Sequence, residues 1–268
     1  SSLKISECGL LKELVCPDNQ LAALDISPFP SLGYLNCNHS RIGALRLSDS
    51  PLLREVHCAA NSLTGDLDLS ECTRLEVLYC ENNALEFLDI TYCPLLKTLS
   101  CYSNRIKQID IYAHPALEYL ACGENELAWL FLEGSKNLKL LSCPDNPSME
   151  TLRIAGCSSL RFLDFHSCDL RVLNASNSPA LEMVDGSRNK LREAVFDSGI
   201  MTVLDVSYNN LQSLDISATP FIKELYFAQN ALSAIYVHED IDIANLTNGT
   251  GEKIDLGGGN KGVLAHHP

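Results

Sequence analysis

What this 268-residue chain lacks narrows its function before any motif is read. It has no apolar run near the roughly 18 residues that cross a bilayer, and its start, SSLKISECGLLKEL, has no signal-peptide hydrophobic core. Basic residues are scarce, 20 against 34 acidic ones, for a formal net charge of −14. Such a balance repels phosphate backbones and anionic headgroups, so the expectation is no nucleic acid and no membrane insertion, and a neutral or basic partner instead. Catalytic motifs are missing as well. There is no Gly-rich phosphate loop followed by a basic residue, no H-E-x-x-H, no C-x-x-C and no G-x-S-x-G. The GGGN at 257–260 carries no dinucleotide fingerprint and reads as a turn or tail. His166-Ser167-Cys168 holds the residue types of nucleophilic chemistry, but adjacency in sequence is not the geometry that a Cys–His pair needs. The expectation is a monomeric protein that is not an enzyme and uses no cofactor and no metal.

What is abundant is cysteine, twelve in all, and its spacing is the first informative signal. Cys16, Cys37, Cys58, Cys80, Cys101, Cys122 and Cys143 follow one another at 21, 21, 22, 21, 21 and 21 residues. A period of that length marks a solenoid. Aligned on those cysteines, the unit reads L-x-x-L-x-C-x-x-N-x-L-x-x-L-D-I-S-x-x-P, and its opening position recurs eleven times, from Leu11 through Leu181 to Met201 and Ile222. The asparagine column holds Asn19, Asn61, Asn83, Asn104, Asn125, Asn146, Asn189, Asn209 and Asn230, with Ser40 and Cys168 as the departures. These side-chain amides are expected to satisfy turn backbone that neighbouring coils leave unpaired.

Within each unit, x-L-x-C-x alternates with period two, as in Tyr34-Leu35-Asn36-Cys37-Asn38, which predicts a short strand, and stacked units predict one parallel sheet. Leu-Asp-Ile at 24–26, 88–90 and 214–216 alternates likewise. That predicts extended segments on the opposite wall, and about 21 residues per turn leave little room for helix.

The motif L-x-x-L-x-[L/C]-x-x-N, repeated in register over about Leu3 to Val237, is similar to the leucine-rich-repeat signature. The 21-residue form with cysteine resembles the bacterial surface repeats of the internalin J type. The resemblance implies a leucine-rich-repeat solenoid over residues 1–237, mainly β, with a parallel sheet on its concave face, and a C-terminal cap or tail over 238–268. It also implies an extracellular or cell-surface protein of a bacterium.

The cysteine column falls on inward positions, where a small apolar side chain suits a narrow coil. Parallel strands hold successive Cβ atoms about 4.8 Å apart, too far for easy disulfide bonding, and a straight column offers no tetrahedral convergence for zinc. Free thiols are the expectation there. After Cys143 the column holds Phe165, Gly186, Val206 and Phe227, large beside small, and the coil at Leu160 to Cys168, which loses both cysteine and asparagine, is expected to be a seam. A second column before the turn proline includes Cys72 and Cys93 on neighbouring coils, where a disulfide stays open as an alternative.

Outward strand positions tile one face, and there Tyr34, His57, Tyr79, Tyr102, Tyr119, Phe162, Met183 and Tyr226 make an apolar, aromatic candidate ligand-binding surface. Asp164, Asp185 and Asp205 stack in one outward column, and like charges about 5 Å apart repel unless a cation or a basic partner lies among them. Two functions follow. One is a binding module that recognises a protein or a carbohydrate through the concave face; the other is a rigid spacer that presents a neighbouring domain. Leu3-Lys4-Ile5 reads as half a unit, so the first coil is expected to be covered by something upstream or by another segment. Ile241, Ile243, Ile254 and Leu256 alternate as a strand pair closing the last coil would.

Overall fold

In the computed structural model the described residues are Leu3, 8–112 and 114–241, with strand backbone at 247–248, 252–253 and 263–266. They contain 3- and 4-residue strands, with two-residue strands near the C-terminus, and no helix. Two compact units divide the chain, Ser1–Leu127 and Ala128–Pro268. The division does not fall at the coil of Leu160 to Cys168. There Phe165 is fully buried and Cys168 is buried where asparagine is the rule.

In the first unit the repeated L-x-C segments become main-sheet strands at Glu13–Val15, Tyr34–Asn36, Glu55–His57, Val77–Tyr79, Thr98–Ser100 and Tyr119–Ala121. Each pairs in parallel with the strand one coil away, position for position: Leu14 with Leu35, Leu35 with Val56, Val56 with Leu78, Leu78 with Leu99 and Leu99 with Leu120. The central residue of every strand is buried and the residues beside it face outward, as a pleat with period two dictates. The second unit repeats the arrangement with Leu140–Ser142, Phe162–Asp164, Met183–Asp185, Val203–Asp205 and Glu224–Tyr226.

The opposite wall is extended, as the Leu-Asp-Ile segments predict. It carries parallel pairs at Ala23–Asp25 with Ala44–Arg46 and at Thr64–Asp66 with Ala84–Phe87 in the first unit. The second unit has Trp129–Phe131 with Thr151–Arg153, Val172–Ala175 with Glu193–Phe196, and Ser213–Ile216 with Ala234–Val237. Beyond Val237, Val263–His266 adds a parallel strand to Ala234–Val237. Thr247–Asn248 pairs in antiparallel with Glu252–Lys253 while Thr247 meets Glu224. Ile5, Ile243, Ile254, Leu256 and the GGGN segment lie outside the described residues.

The core lies between the two walls of each coil. Cys37, Cys58, Cys80, Cys101, Cys122 and Cys143 are fully buried, and all twelve cysteines are free thiols. Burial, with the neighbouring Cys16 adding to it, pushes the Cys37 thiol up to about 12. Cys72 and Cys93 are buried and unbridged. Polar members of their column cap the coil before. Ser50 Oγ, His114 Nε2, Cys157 Sγ and Ser178 Oγ donate to the carbonyls of Ile26, Ile90, Leu132 and Ile154 respectively, at 3.4, 2.8, 3.1 and 3.3 Å.

The asparagine column behaves as expected and does more. Asn61 Nδ2 donates to the Cys58 and Ala59 carbonyls of its own turn and to Cys37 O of the preceding coil, at 3.1, 3.2 and 3.0 Å, while Asn61 Oδ1 accepts from Ile42 N at 3.0 Å. One residue earlier in each coil, a non-glycine residue takes a left-handed conformation, from Asp18 and His39 through Ala60, Glu124 and Asp145 to Tyr208 and Gln229, with φ between 47° and 58°. Packing and the asparagine bonds hold this strained backbone, which costs an L-residue about 1–2 kcal/mol.

Candidate functional site

The outward faces of the main-sheet strands bring part of the predicted aromatic surface together. In the first unit Tyr34, His57 and Tyr79 come from three successive strands whose registers place Asn36 opposite His57 and His57 opposite Tyr79. Their rings form a continuous row of tilted contacts: Tyr34 to His57 at 5.4 Å between centroids and 47° between planes, and His57 to Tyr79 at 4.8 Å and 41°. Tyr34 reaches His57 across columns, from the outward position at the start of its strand. All three rings are half-buried. His57 Nε2 donates to Glu55 Oε1 at 2.6 Å, which orients the imidazole between the two phenols. The three rings lie side by side over three coils, with the Glu55 carboxylate bound to the central one.

Tyr102 and Tyr119 lie on the next two coils, and their placement differs. Tyr119 is exposed on the strand Tyr119–Ala121, whereas Tyr102 follows its strand and donates its hydroxyl to Glu124 Oε1 at 3.0 Å. At the starts of these strands runs a solvent-exposed ion-pair ladder in which Glu76 bridges Arg54 at 2.5 Å and Lys97 at 2.7 Å, and these bonds lower its pKa, Lys97 first and Arg54 second.

In the second unit Phe162 and Met183 are exposed on adjacent strands, with the Arg161 guanidinium 5.5 Å from the Phe162 ring centroid. Tyr226 is half-buried, and its hydroxyl donates to Glu224 Oε2 at 3.0 Å. Asp164, Asp185 and Asp205 do stand in register on three strands. Each commits its Oδ1 to the backbone N–H two residues on, of His166, Ser187 and Ser207, at 3.2, 3.0 and 2.8 Å. Asn36 makes the same bond to Asn38 N at 3.2 Å, so the turn itself needs the oxygen and not the charge. Burial pushes the Asp205 carboxyl up; its hydrogen bonds to Ser207 pull it back and the charge of Asp185 adds to the rise.

Two arrangements escape the column-by-column reading. His166 sits among three carboxylates: Asp164 Oδ1 is 2.7 Å and Asp185 Oδ2 is 3.9 Å from Nδ1, and Asp145 Oδ2 is 3.5 Å from Nε2. Asp164, His166 and Asp185 present ligand-type atoms within 4.8 Å of one another, but calcium takes oxygen donors, and a nitrogen occupies the centre of this group. The other is on the opposite wall, where Trp129 and Phe131 stack at 4.7 Å and 22°, and Arg153 lies 4.8 Å over the Phe131 ring. The sequence signal for it was present, since Trp129 and Phe131 are two apart on one strand.

No protein-family model and no curated protein matches the chain. Solved structures do. The functional domain of InlJ from Listeria monocytogenes, which includes a cysteine ladder, aligns over 88% of this chain at 24% identity with a TM-score of 0.64, and the chain spans 60% of that domain. YopM from Yersinia enterocolitica aligns over 87% at 24% identity with a TM-score of 0.65, the chain spanning 55% of it. YopM from Yersinia pestis, a leucine-rich effector protein, aligns over 84% at 27% identity with a TM-score of 0.59, the chain spanning 68% of it. What these similarities share with the chain is the fold, and the InlJ domain includes a cysteine ladder where this chain has a cysteine column.

Proposed function

We propose that this leucine-rich-repeat solenoid, similar to InlJ in fold and in its buried cysteine column, is a non-catalytic binding module. Its ligand is a protein, met by the outward positions of the main sheet. The observation that carries this reading is the cluster of Tyr34, His57 and Tyr79 over three coils, an amphipathic aromatic surface held by strand pairing and by Glu55. Rings with phenolic hydroxyls and a carboxylate beside them suit the polar and apolar mixture of a protein surface. Tyr102 and Tyr119 extend the surface within the first unit, and Phe162, Met183 and Tyr226 supply the corresponding positions of the second. The net charge of −14 favours a neutral or basic partner over nucleic acid. The similarity to InlJ supports a place at a bacterial surface or outside the cell, with residues 1–237 as the repeat array and 238–268 as its closing segment.

The test is a triple substitution, Tyr34→Ala, His57→Ala and Tyr79→Ala, compared with the wild type on arrays of extracellular proteins and of glycans. Loss of at least about tenfold in affinity for a captured protein is expected, since aromatic anchors at interface centres are worth about 2 kcal/mol or more. Protein capture at wild-type strength by the correctly folded triple variant rejects this face, and capture of glycans alone rejects the protein assignment.

A further inference from the structure

His166 is the residue of the second unit whose surroundings exceed what its turn requires. It follows the strand Phe162–Asp164, and both of its ring nitrogens face carboxylates. Asp145 comes from the preceding coil to Nε2 at 3.5 Å, Asp164 from its own coil to Nδ1 at 2.7 Å, and Asp185 from the following coil to Nδ1 at 3.9 Å. These are the charged groups that face the ring. Arg188, one coil on, is 4.8 Å over the Tyr208 ring, and its charge acts on Asp205.

The consequence follows from imidazole chemistry. A neutral imidazole has one N–H and can donate on one side only; an imidazolium has two and can donate on both. With carboxylates on both sides, the protonated ring donates to Asp164 at 2.7 Å and holds Asp145 as an ion pair at 3.5 Å. The neutral ring facing Asp164 with its N–H must turn a lone pair toward Asp145, which repels it. Three carboxylates and one imidazole make the group one charge more negative when His166 loses its proton.

We propose that His166 is a pH-sensitive switch on the main-sheet face of the second unit: protonated, it ties Asp145, Asp164 and Asp185 of three coils together; deprotonated, it frees Asp145 and leaves the strip one charge more negative, receptive to a cationic group of a partner. The last clause rests on the proposed binding role of the face; the tie does not. Burial of the ring opposes protonation, but the hydrogen bond to Asp164 and the charges of Asp164, Asp185 and Asp145 outweigh it and hold the pKa above the ordinary histidine value. For a raised pKa the sign is fixed: the stabilisation is complete below the unfolded value of about 6.5 and is lost as pH rises through the folded value.

Two measurements on the whole chain test this. The first is an NMR titration of the His166 ring, assigned by the resonance that His166→Gln removes. Its midpoint is expected above about 6.5, and lower in both Asp145→Asn and Asp185→Asn. Asparagine suits both positions, since Asp145 is left-handed and Asn36 already makes the turn bond of the Asp185 column. A midpoint at or below about 6.5, or one unmoved by both substitutions, overturns the switch. The second is binding of an octalysine peptide, by fluorescence anisotropy at about pH 5.5 and about pH 8. Wild type is expected to gain at least about threefold more affinity over that interval than His166→Gln, as one added charge close to the site requires. Equal gains in the two proteins overturn the cationic-partner clause. Neither readout involves Tyr34, His57 or Tyr79 or the natural ligand, so failure here is separable from failure of the proposed function.

Discussion

Asn125 shows how much of this fold rests on single side chains. It is buried, and its Nδ2 donates to Cys101 O, Cys122 O and Gly123 O at 3.0, 3.2 and 2.9 Å while its Oδ1 accepts from Ile106 N at 2.9 Å. Replacing it by alanine strands the Ile106 N–H and removes one partner each from Cys101 O and Gly123 O, which keep Asn104 Nδ2 and Ser103 N. Asn125→Ala is therefore expected to lower stability by about 1–3 kcal/mol in urea unfolding, the cost of one unsatisfied buried group. A loss under about 1 kcal/mol shows that solvent replaces those bonds. The column was legible in the sequence, because asparagine recurs at one position in nine of eleven units. The left-handed residue before it was not. Asp18, His39, Asn82 and Asp145 are of types that tolerate positive φ, but Ala60, Glu124, Arg188 and Tyr208 are not, and nothing in their types signals it; the demand comes from the closing of the coil.

At the scale of the coil, the pairing of Phe165 with Gly186 explains how the core proceeds where the cysteine column ends after Cys143. A Cβ placed on Gly186 meets Phe165 Cζ at 2.3 Å, so the ring occupies the volume that a side chain on the next coil would take. Gly186→Ala is expected to destabilise by about 1–3 kcal/mol, the usual cost of overpacking, and Phe165→Cys in the same chain to recover most of that loss. Additive losses in thermal or urea unfolding would show that the two positions do not share the space. The alternation of large and small was readable from the aligned column. That the Phe165 ring enters the space beside Gly186 depends on which way it turns, a rotamer choice that alignment does not carry. The turn column behaves in the same way. Cys72 and Cys93 suggested a disulfide by their types, yet the column is one of buried residues whose polar members cap carbonyls of the coil before, with cysteine serving at Cys157.

For the molecule as a whole, the most accessible consequence is the inertness of its thiols. Ten of the twelve cysteines are buried and only Cys8 and Cys16 are half-buried. Burial raises the thiols of Cys37 and Cys72 to about 12 and that of Cys157 to about 11, and thiolate is the reactive form. Alkylation of the native protein near neutral pH is expected to modify at most Cys8 and Cys16, with the remainder reacting only as the chain unfolds. Rapid native modification of Cys80 or Cys101 would contradict the closed core. By itself the sequence determined the repeat, its period, the inward and outward columns and the exclusion of catalytic motifs, because a solenoid places residues one unit apart in contact, and sequence periodicity becomes spatial neighbourhood. Only the tertiary structure decided the contacts that run diagonally between columns. His57 lies between Tyr34 and Tyr79 although Tyr34 belongs to another column, and Asp145 reaches His166 although strand register carries it toward Ser167. The physical reason is that register fixes Cα positions to within a strand spacing, whereas ring stacks and ion pairs depend on χ angles that only the packed neighbours select.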